Sequence, residues 1–154
     1  MNERERGFAI ALEMISRRRR SEYEVRARFS QRGIPPQTGE EIISALREMG
    51  YLNDRAFAEA WVRDRKITKP MGRYRLAREL SEKGIERSLI DEVLDGEEGC
   101  QDELALALAL ARTRLTSIKG RPPEVVQRRI GQFLLRRGFS QETAARVAWQ
   151  LTRD

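Results

Sequence analysis

The sequence has 154 residues, 40% of them hydrophobic, 35% charged and only 6% aromatic, which suits one ordinary domain or a short array of small units whose helices each carry one apolar stripe. It contains no histidine and one cysteine, Cys100, so a disulfide framework, a zinc cluster and a histidine-dependent catalytic triad are all excluded within one chain. The formal net charge is +6 and only Lys66, Lys69, Lys83 and Lys119 are lysines, so arginine dominates, and its planar fork of donors suits phosphate and carboxylate partners.

In chain order, Phe8, Leu12 and Ile15 mark a first helix by their spacing. Arg17, Arg18, Arg19 and Arg20 follow as the densest basic cluster, placed between the first two helices. A second helix starts at Ser21, with Glu24 completing a capping box, and stops at Gly33-Ile34. Ile42, Ile43, Leu46 and Met49 carry the third, with Thr38 and Glu41 as its expected cap. Phe57, Trp61 and Val62 carry the fourth, and the segment from Gly72 to Ile85 is the fifth. Leu89, Ile90, Val93 and Leu94 form the sixth, capped by Ser88 with Asp91. Leu104, Leu108 and Leu115 lead the seventh, the segment from Gln127 to Phe139 is the eighth, and Ala144, Val147, Ala148 and Leu151 close the chain. Breaks fall at Pro35-Pro36, around Pro70, at Gly96-Glu97-Glu98-Gly99 and at Gly120-Arg121-Pro122-Pro123. Strand patterns are absent.

The second, fifth and eighth helices share a pattern, each ending in a basic residue, a glycine and an apolar residue: Arg32-Gly33-Ile34, Lys83-Gly84-Ile85 and Arg137-Gly138-Phe139. A left-handed glycine just past the last turn lets the apolar residue fold back on the one five positions earlier, which pairs Phe29 with Ile34, Leu80 with Ile85, and Leu134 with Phe139. The expected fold is therefore all-α: an elongated tandem array of three three-helix repeats, about nine helices, over residues 1–50, 51–99 and 100–154.

Charge is uneven along that array, at +2, −1 and +5 for the three repeats. The third repeat is the expected contact for DNA phosphate or an acidic protein face, through Arg128, Arg129, Arg136 and Arg137; a solvated helix face is the competing reading. Arg17 to Arg20 either reach phosphates or simply act as cations at a helix end. Arg73, Arg75 and Arg78 either grip a partner or pair with Glu79 and Glu82. Tyr51, Phe57, Trp61 and Tyr74 offer stacking surfaces for single-stranded bases, although core packing is the favoured reading, most clearly from the spacing of Phe57 and Trp61; Trp149 is the best candidate for an exposed aromatic, yet with Ala145 and Ala148 around it packing is its favoured role too. The carboxylates Asp91, Glu92, Asp95, Glu97, Glu98, Asp102 and Glu103 read as a solvated connector rather than a magnesium site. No phosphate-binding Gly-x-x-x-x-Gly-Lys loop occurs, so neither catalytic residues nor metal ligands nor cofactors are expected. The longest apolar stretch, Leu104 to Ala111, is far short of a membrane span and the charged start is unlike a signal peptide, so a cytoplasmic protein without membrane contact is expected.

From Gly50 to Ile85 the sequence reads Gly50-Tyr51-Leu52-Asn53-Asp54, Phe57-Ala58, Trp61-Val62, Arg65, Gly72, Arg75-Leu76, Glu79-Leu80 and Lys83-Gly84-Ile85. This resembles the central signature of the RecX family, and Ser21-Glu22 and Arg136-Arg137-Gly138-Phe139-Ser140 resemble its flanking repeats. The resemblance spans almost the whole chain. It implies a tandem three-helix regulator, not an enzyme, acting as a monomer in the groove of the filament that RecA forms on single-stranded DNA, where it restrains ATP hydrolysis, strand exchange and filament growth. Single-stranded DNA would be met through the filament, with weak direct binding as an addition. The alternative is a stand-alone nucleic-acid-binding protein using a helix-turn-helix within one repeat. The acidic link from Glu97-Glu98 to Asp102-Glu103 and the short tail depart from the family pattern.

Overall fold

The structure is a computed structural model that describes residues 1–96, 99 and 102–153. Glu97 and Glu98 of the acidic link, and Cys100, lie outside the described residues. Among the described residues there are nine helices and no strand: α1 (Glu3–Arg17), α2 (Glu22–Gln31), α3 (Pro36–Glu48), α4 (Asp54–Thr68), α5 (Arg73–Glu82), α6 (Arg87–Asp95), α7 (Glu103–Ile118), α8 (Pro123–Arg136) and α9 (Gln141–Arg153). The chain forms two compact units, residues 1–61 with 80–93 and residues 62–79 with 94–154. The division passes through α4, α5 and the end of α6.

In the first unit α1, α2 and α3 pack on one another around Ile10, Ala11, Met14, Val25, Phe29, Ile34, Ile42, Ile43, Leu46 and Leu52. The face that α1 turns inward differs from the expected stripe: Ile10, Ala11 and Met14 are buried together with Gly7, Phe8 and Ile15 are only partly covered, and Leu12 is exposed. Gly7 explains the shift. A Cβ there would stand 2.4 Å from Ile42 Cδ1, so the missing side chain lets α3 close on this side and turns Leu12 outward. Met49, assigned to the apolar face of α3, is also exposed, because it is the C-cap beyond the last turn that faces the core.

In the second unit α7, α8 and α9 pack around Ala107, Ala111, Ile118, Val126, Ile130, Leu134, Phe139, Ala144, Val147 and Ala148. Here α7 buries alanines, whereas Leu104, Leu108 and Leu115, the expected core residues, are partly buried at its flanks. The alternating Leu-Ala run has a period of two, so on a helix its leucines spread around the axis. The buried side is the one where small residues permit close approach.

Helix ends follow local rules where those rules are complete. Gly33, Gly84 and Gly138 have positive φ of 74°, 78° and 90°. In each case the next amide donates to the carbonyl five residues back: Ile34 to Phe29 (2.9 Å), Ile85 to Leu80 (3.1 Å) and Phe139 to Leu134 (3.1 Å), the Schellman arrangement. The Ser21–Glu24 capping box is present in both directions. The other two expected caps are not caps. Helix α3 starts at Pro36, with Pro35 as its N-cap and no side-chain bond there, so Thr38 sits inside the first turn. Proline pre-sets the first helical φ and removes one of the first-turn amides that would otherwise lack a partner, while Pro35 carries no side-chain acceptor to cap the rest. Ser88 likewise lies inside α6, where its hydroxyl donates to Glu86 Oε1.

Candidate partner-binding surfaces

Within each unit, the glycine-terminated end of one middle helix abuts the start of another. In the first unit Ser21, fully buried, accepts from the Glu24 amide and donates from Oγ to the Lys83 carbonyl at 2.8 Å. One hydroxyl thus serves an orphan amide at the start of α2 and an orphan carbonyl at the end of α5. A Cβ on Gly84 would stand 2.2 Å from Tyr23 Cβ. In the second unit the amide of Gly72 donates to the Arg137 carbonyl (2.7 Å), that of Tyr74 to the Gly138 carbonyl (3.1 Å), and a Cβ on Gly138 would stand 2.4 Å from Arg75 Cβ. These contacts bring together four arginines that are distant in sequence, Arg73 and Arg75 at the start of α5 with Arg136 and Arg137 at the end of α8.

Their side chains differ in availability. The Arg73 guanidinium lies 2.8 Å from Asp95 Oδ1, and its backbone amide donates to Glu103 Oε1 (3.1 Å). Burial raises the pKa of the Glu103 carboxyl, against the opposing pull of that amide and of the Arg73 charge. Arg75 donates to the Arg136 carbonyl at 3.4 Å. Arg137 lies over the Phe133 ring at 5.4 Å, with Nε buried and without a hydrogen bond among the described residues. Arg114, which sequence reasoning did not single out, covers the same ring at 5.9 Å. Arg78 is exposed and, unlike the expected pairing, makes no ion pair with Glu79 among the described residues; Glu79 Oε1 instead accepts from Arg65 Nε at 2.9 Å. On α8, Arg129, Phe133, Arg136 and Arg137 follow the i, i+4, i+7, i+8 spacing of one helix face. Arg128, Arg129 and Arg136 form no ion pair among the described residues. The result is an arginine stripe around one aromatic ring, with no carboxylate paired to Arg129 or Arg136 among the described residues.

The Arg17–Arg20 cluster divides between α1 and the turn after it. Arg17, the last residue of α1, pairs with Glu13 one turn back (3.0 Å). Arg18 pairs with Glu24. Arg20 donates from Nε to the Met14 carbonyl (3.0 Å), lies 3.8 Å from Glu24, and keeps only 14% of its side chain exposed. Burial, then the nearby Arg18 charge, lowers the Arg20 pKa. The Arg19 guanidinium is exposed and has no ion-pair partner among the described residues. By contrast Arg47 makes a two-pronged bond to Glu22 (2.7 and 2.9 Å), and Arg26 holds Glu40. These hydrogen bonds keep the Glu22 and Glu40 carboxyls below their ordinary pKa values. Arg26 and Arg47 are therefore spent on structure.

Of the aromatics, Phe57 is buried and stacks on Trp61 with centroids 5.9 Å apart, while Tyr51, Tyr74 and Trp149 are exposed. The Arg153 guanidinium lies 4.2 Å over Trp149. The described carboxylates of the 91–103 run have structural partners: Glu92 pairs with Arg55, Asp95 with Arg73, Asp102 caps α7 and Glu103 accepts from the Arg73 amide. No group of three or more metal-ligating side chains occurs among the described residues. None of the helices described is long and apolar enough to cross a membrane.

Among the described residues, nine helices in consecutive threes, with glycine-ended helix contacts and an arginine stripe on α8, define an all-helical repeat protein of three-helix domains. Family profiles place it: residues 8–46, 53–94 and 101–147 match those described as the first, second and third three-helix domains of RecX. The chain belongs to the RecX family. It is 34% identical over 149 residues to a protein named "Regulatory protein RecX" of Thermobifida fusca, covering 97% of this chain and 78% of that one. Its identity to one of the same name from Streptomyces coelicolor is 34% over 146 residues, covering 95% and 77%. The fold matches the crystal structure of RecX from Lactobacillus salivarius with a TM-score of 0.85 at 24% identity, covering 99% of this chain and 98% of that chain.

Proposed function

We propose that this chain is a non-enzymatic regulator that binds the filament RecA forms on single-stranded DNA, lies in its groove and limits ATP hydrolysis, strand exchange and filament growth. The observation that carries the reading is the arginine face of α8, where Arg129 and Arg136 have no carboxylate partner among the described residues while Arg26 and Arg47 of the first unit are neutralised. A surface left with unpaired guanidinium groups gains most against phosphate oxygens or acidic side chains, and a nucleoprotein groove supplies both. The family's regulatory proteins and the repeats of residues 1–50, 51–99 and 100–154 fit a partner that is itself repetitive. The chain acts in the cytoplasm as a monomer, with no cofactor, and meets single-stranded DNA mainly within the filament.

Co-sedimentation separates this reading from a stand-alone nucleic-acid binder. With RecA filaments assembled on single-stranded DNA, the chain is expected to pellet at salt concentrations where DNA alone no longer retains it. Equal retention by bare DNA at every salt concentration would favour the helix-turn-helix alternative, which needs no RecA and loses affinity steeply with salt through its own phosphate contacts.

A further inference from the structure

A small cleft of about 170 Å³ opens in the first unit where the end of α1, the turn after α3 and the start of α4 meet, lined by Ile15, Arg19, Arg20, Tyr51, Asn53 and Phe57. We infer that this cleft is a subsite for one nucleotide of a single strand, with the phosphate held by Arg19 beside Arg20 and the base stacked on Tyr51. The inference deepens the function proposed above by giving its direct single-strand contact a location, and so rests on that reading only for its biological setting.

Charge, size and an available ring make the case. Arg17, Arg18 and Arg20 share two carboxylates, Glu13 and Glu24, which leaves Arg19 without an anion among the described residues. Arg20 is held in place by the Met14 carbonyl, so its charge is fixed next to the opening. Helix α4 starts at the cleft, with the Ala56 amide donating to Asn53 Oδ1 at 3.0 Å, and the positive end of its dipole adds to the field. The volume is below the roughly 300–1,000 Å³ of pockets that enclose a whole small molecule. It suits one piece of a ligand that continues outside. Tyr51 is 55% exposed, and beneath the opening Ile15 and Phe57 supply an apolar floor. An acidic peptide would use the arginines but not the ring, whereas an unpaired base on a charged backbone uses both.

The test is fluorescence anisotropy of a labelled oligothymidylate with the full chain and no RecA, for the wild type, Tyr51→Ala, Tyr51→Phe and Arg19→Ala. Loss of one stacked base is expected to weaken binding by about five- to 150-fold in Tyr51→Ala, and Tyr51→Phe stays near wild type. In Arg19→Ala the slope of log K against log salt falls in magnitude by about 0.7, one phosphate contact. Circular dichroism of the variants is expected to match the wild type, since the Tyr51 and Arg19 side chains are exposed and make no hydrogen bond or ion pair among the described residues. Wild-type affinity and slope in both variants, or no binding by the wild type, would overturn the proposal, as would displacement by polyglutamate as effective as that by unlabelled oligonucleotide. RecA ATP hydrolysis is read separately. Inhibition by the wild type with unaltered oligonucleotide binding in the variants sinks the cleft alone; weakened binding in the variants with no inhibition by the wild type sinks the filament reading alone.

Discussion

Gly84 sits in left-handed backbone at φ +78°, with the Tyr23 side chain where a Cβ would stand, so any L side chain there faces both backbone strain and overlap. Gly50, at φ +81°, has nothing within 4 Å of that position and faces the strain alone. Gly84→Ala is therefore expected to cost about 2–4 kcal/mol and Gly50→Ala about 1–2 kcal/mol, compared by urea denaturation; equal losses would show that the Tyr23 contact gives way freely. Ser21 is a second such point. Its hydroxyl serves both the Glu24 amide and the Lys83 carbonyl, so Ser21→Ala removes a cap and leaves a carbonyl unserved, at about 1–2 kcal/mol. The capping half of this role was legible from Ser21 and Glu24, three residues apart. The bond to Lys83 spans 62 positions and had no local signal.

At the scale of elements, α8 joins the core to the outer surface. Val126, Ile130 and Leu134 face inward, and the flank beside them presents Arg129, Phe133, Arg136 and Arg137, with Phe133 packed partly on the core. Arg129→Ala with Arg136→Ala is expected to weaken binding to RecA filaments by tenfold or more, from about 1.5–3 kcal/mol for each hydrogen bond to a charged group, with helicity intact. Arg137 is the poorer choice for such a test because its side chain also packs on Phe133. The arginines were legible as a basic cluster, but which of them stay free was not, because pairing depends on neighbours such as Asp95 and the Arg136 carbonyl that folding brings close. Helix α7 shows the limit of pattern reading in the core: its leucines drew the assignment, yet Ala107 and Ala111 are the residues completely buried. Ala111→Leu is accordingly expected to cost about 1–3 kcal/mol by overpacking, whereas the partly buried Leu106→Ala costs less. The reverse order in thermal denaturation would return the core face to the leucines.

Across the molecule, the nine helices of the described residues were legible from apolar spacing and the glycine stops of α2, α5 and α8 because each stop is encoded within six residues, while the inward faces of α1 and α7 were not, because they depend on which helix finds room to approach. The two units also differ in their titrating carboxylates. In the first, arginine hydrogen bonds hold Glu22 and Glu40 low; burial pushes Glu24 up, but Arg18 and the Ser21 amide outweigh it and its pKa is also lowered. Such groups stabilise above the unfolded glutamate pKa of about 4.3 and lose that contribution as pH falls through their lower folded values. Asp54, raised by burial, opposes them in part. In the second unit Glu103 is raised, chiefly by burial, so its ionised form is the destabilising one and acid relieves it. Acidification from pH 7 to 3.5 is therefore expected to lower the urea midpoint more in the first unit than in the second. Trp61 and Trp149, the two tryptophans, report on one unit each in Trp149→Phe and Trp61→Phe chains; equal losses would contradict the assignment.

The central claim is tested most directly by the rate of ATP hydrolysis of RecA on single-stranded DNA, titrated with this chain at ratios well below one to one. Groove binding that limits filament growth predicts inhibition at those substoichiometric ratios, weakened by Arg129→Ala with Arg136→Ala. An unchanged hydrolysis rate up to and beyond equimolar chain would contradict it.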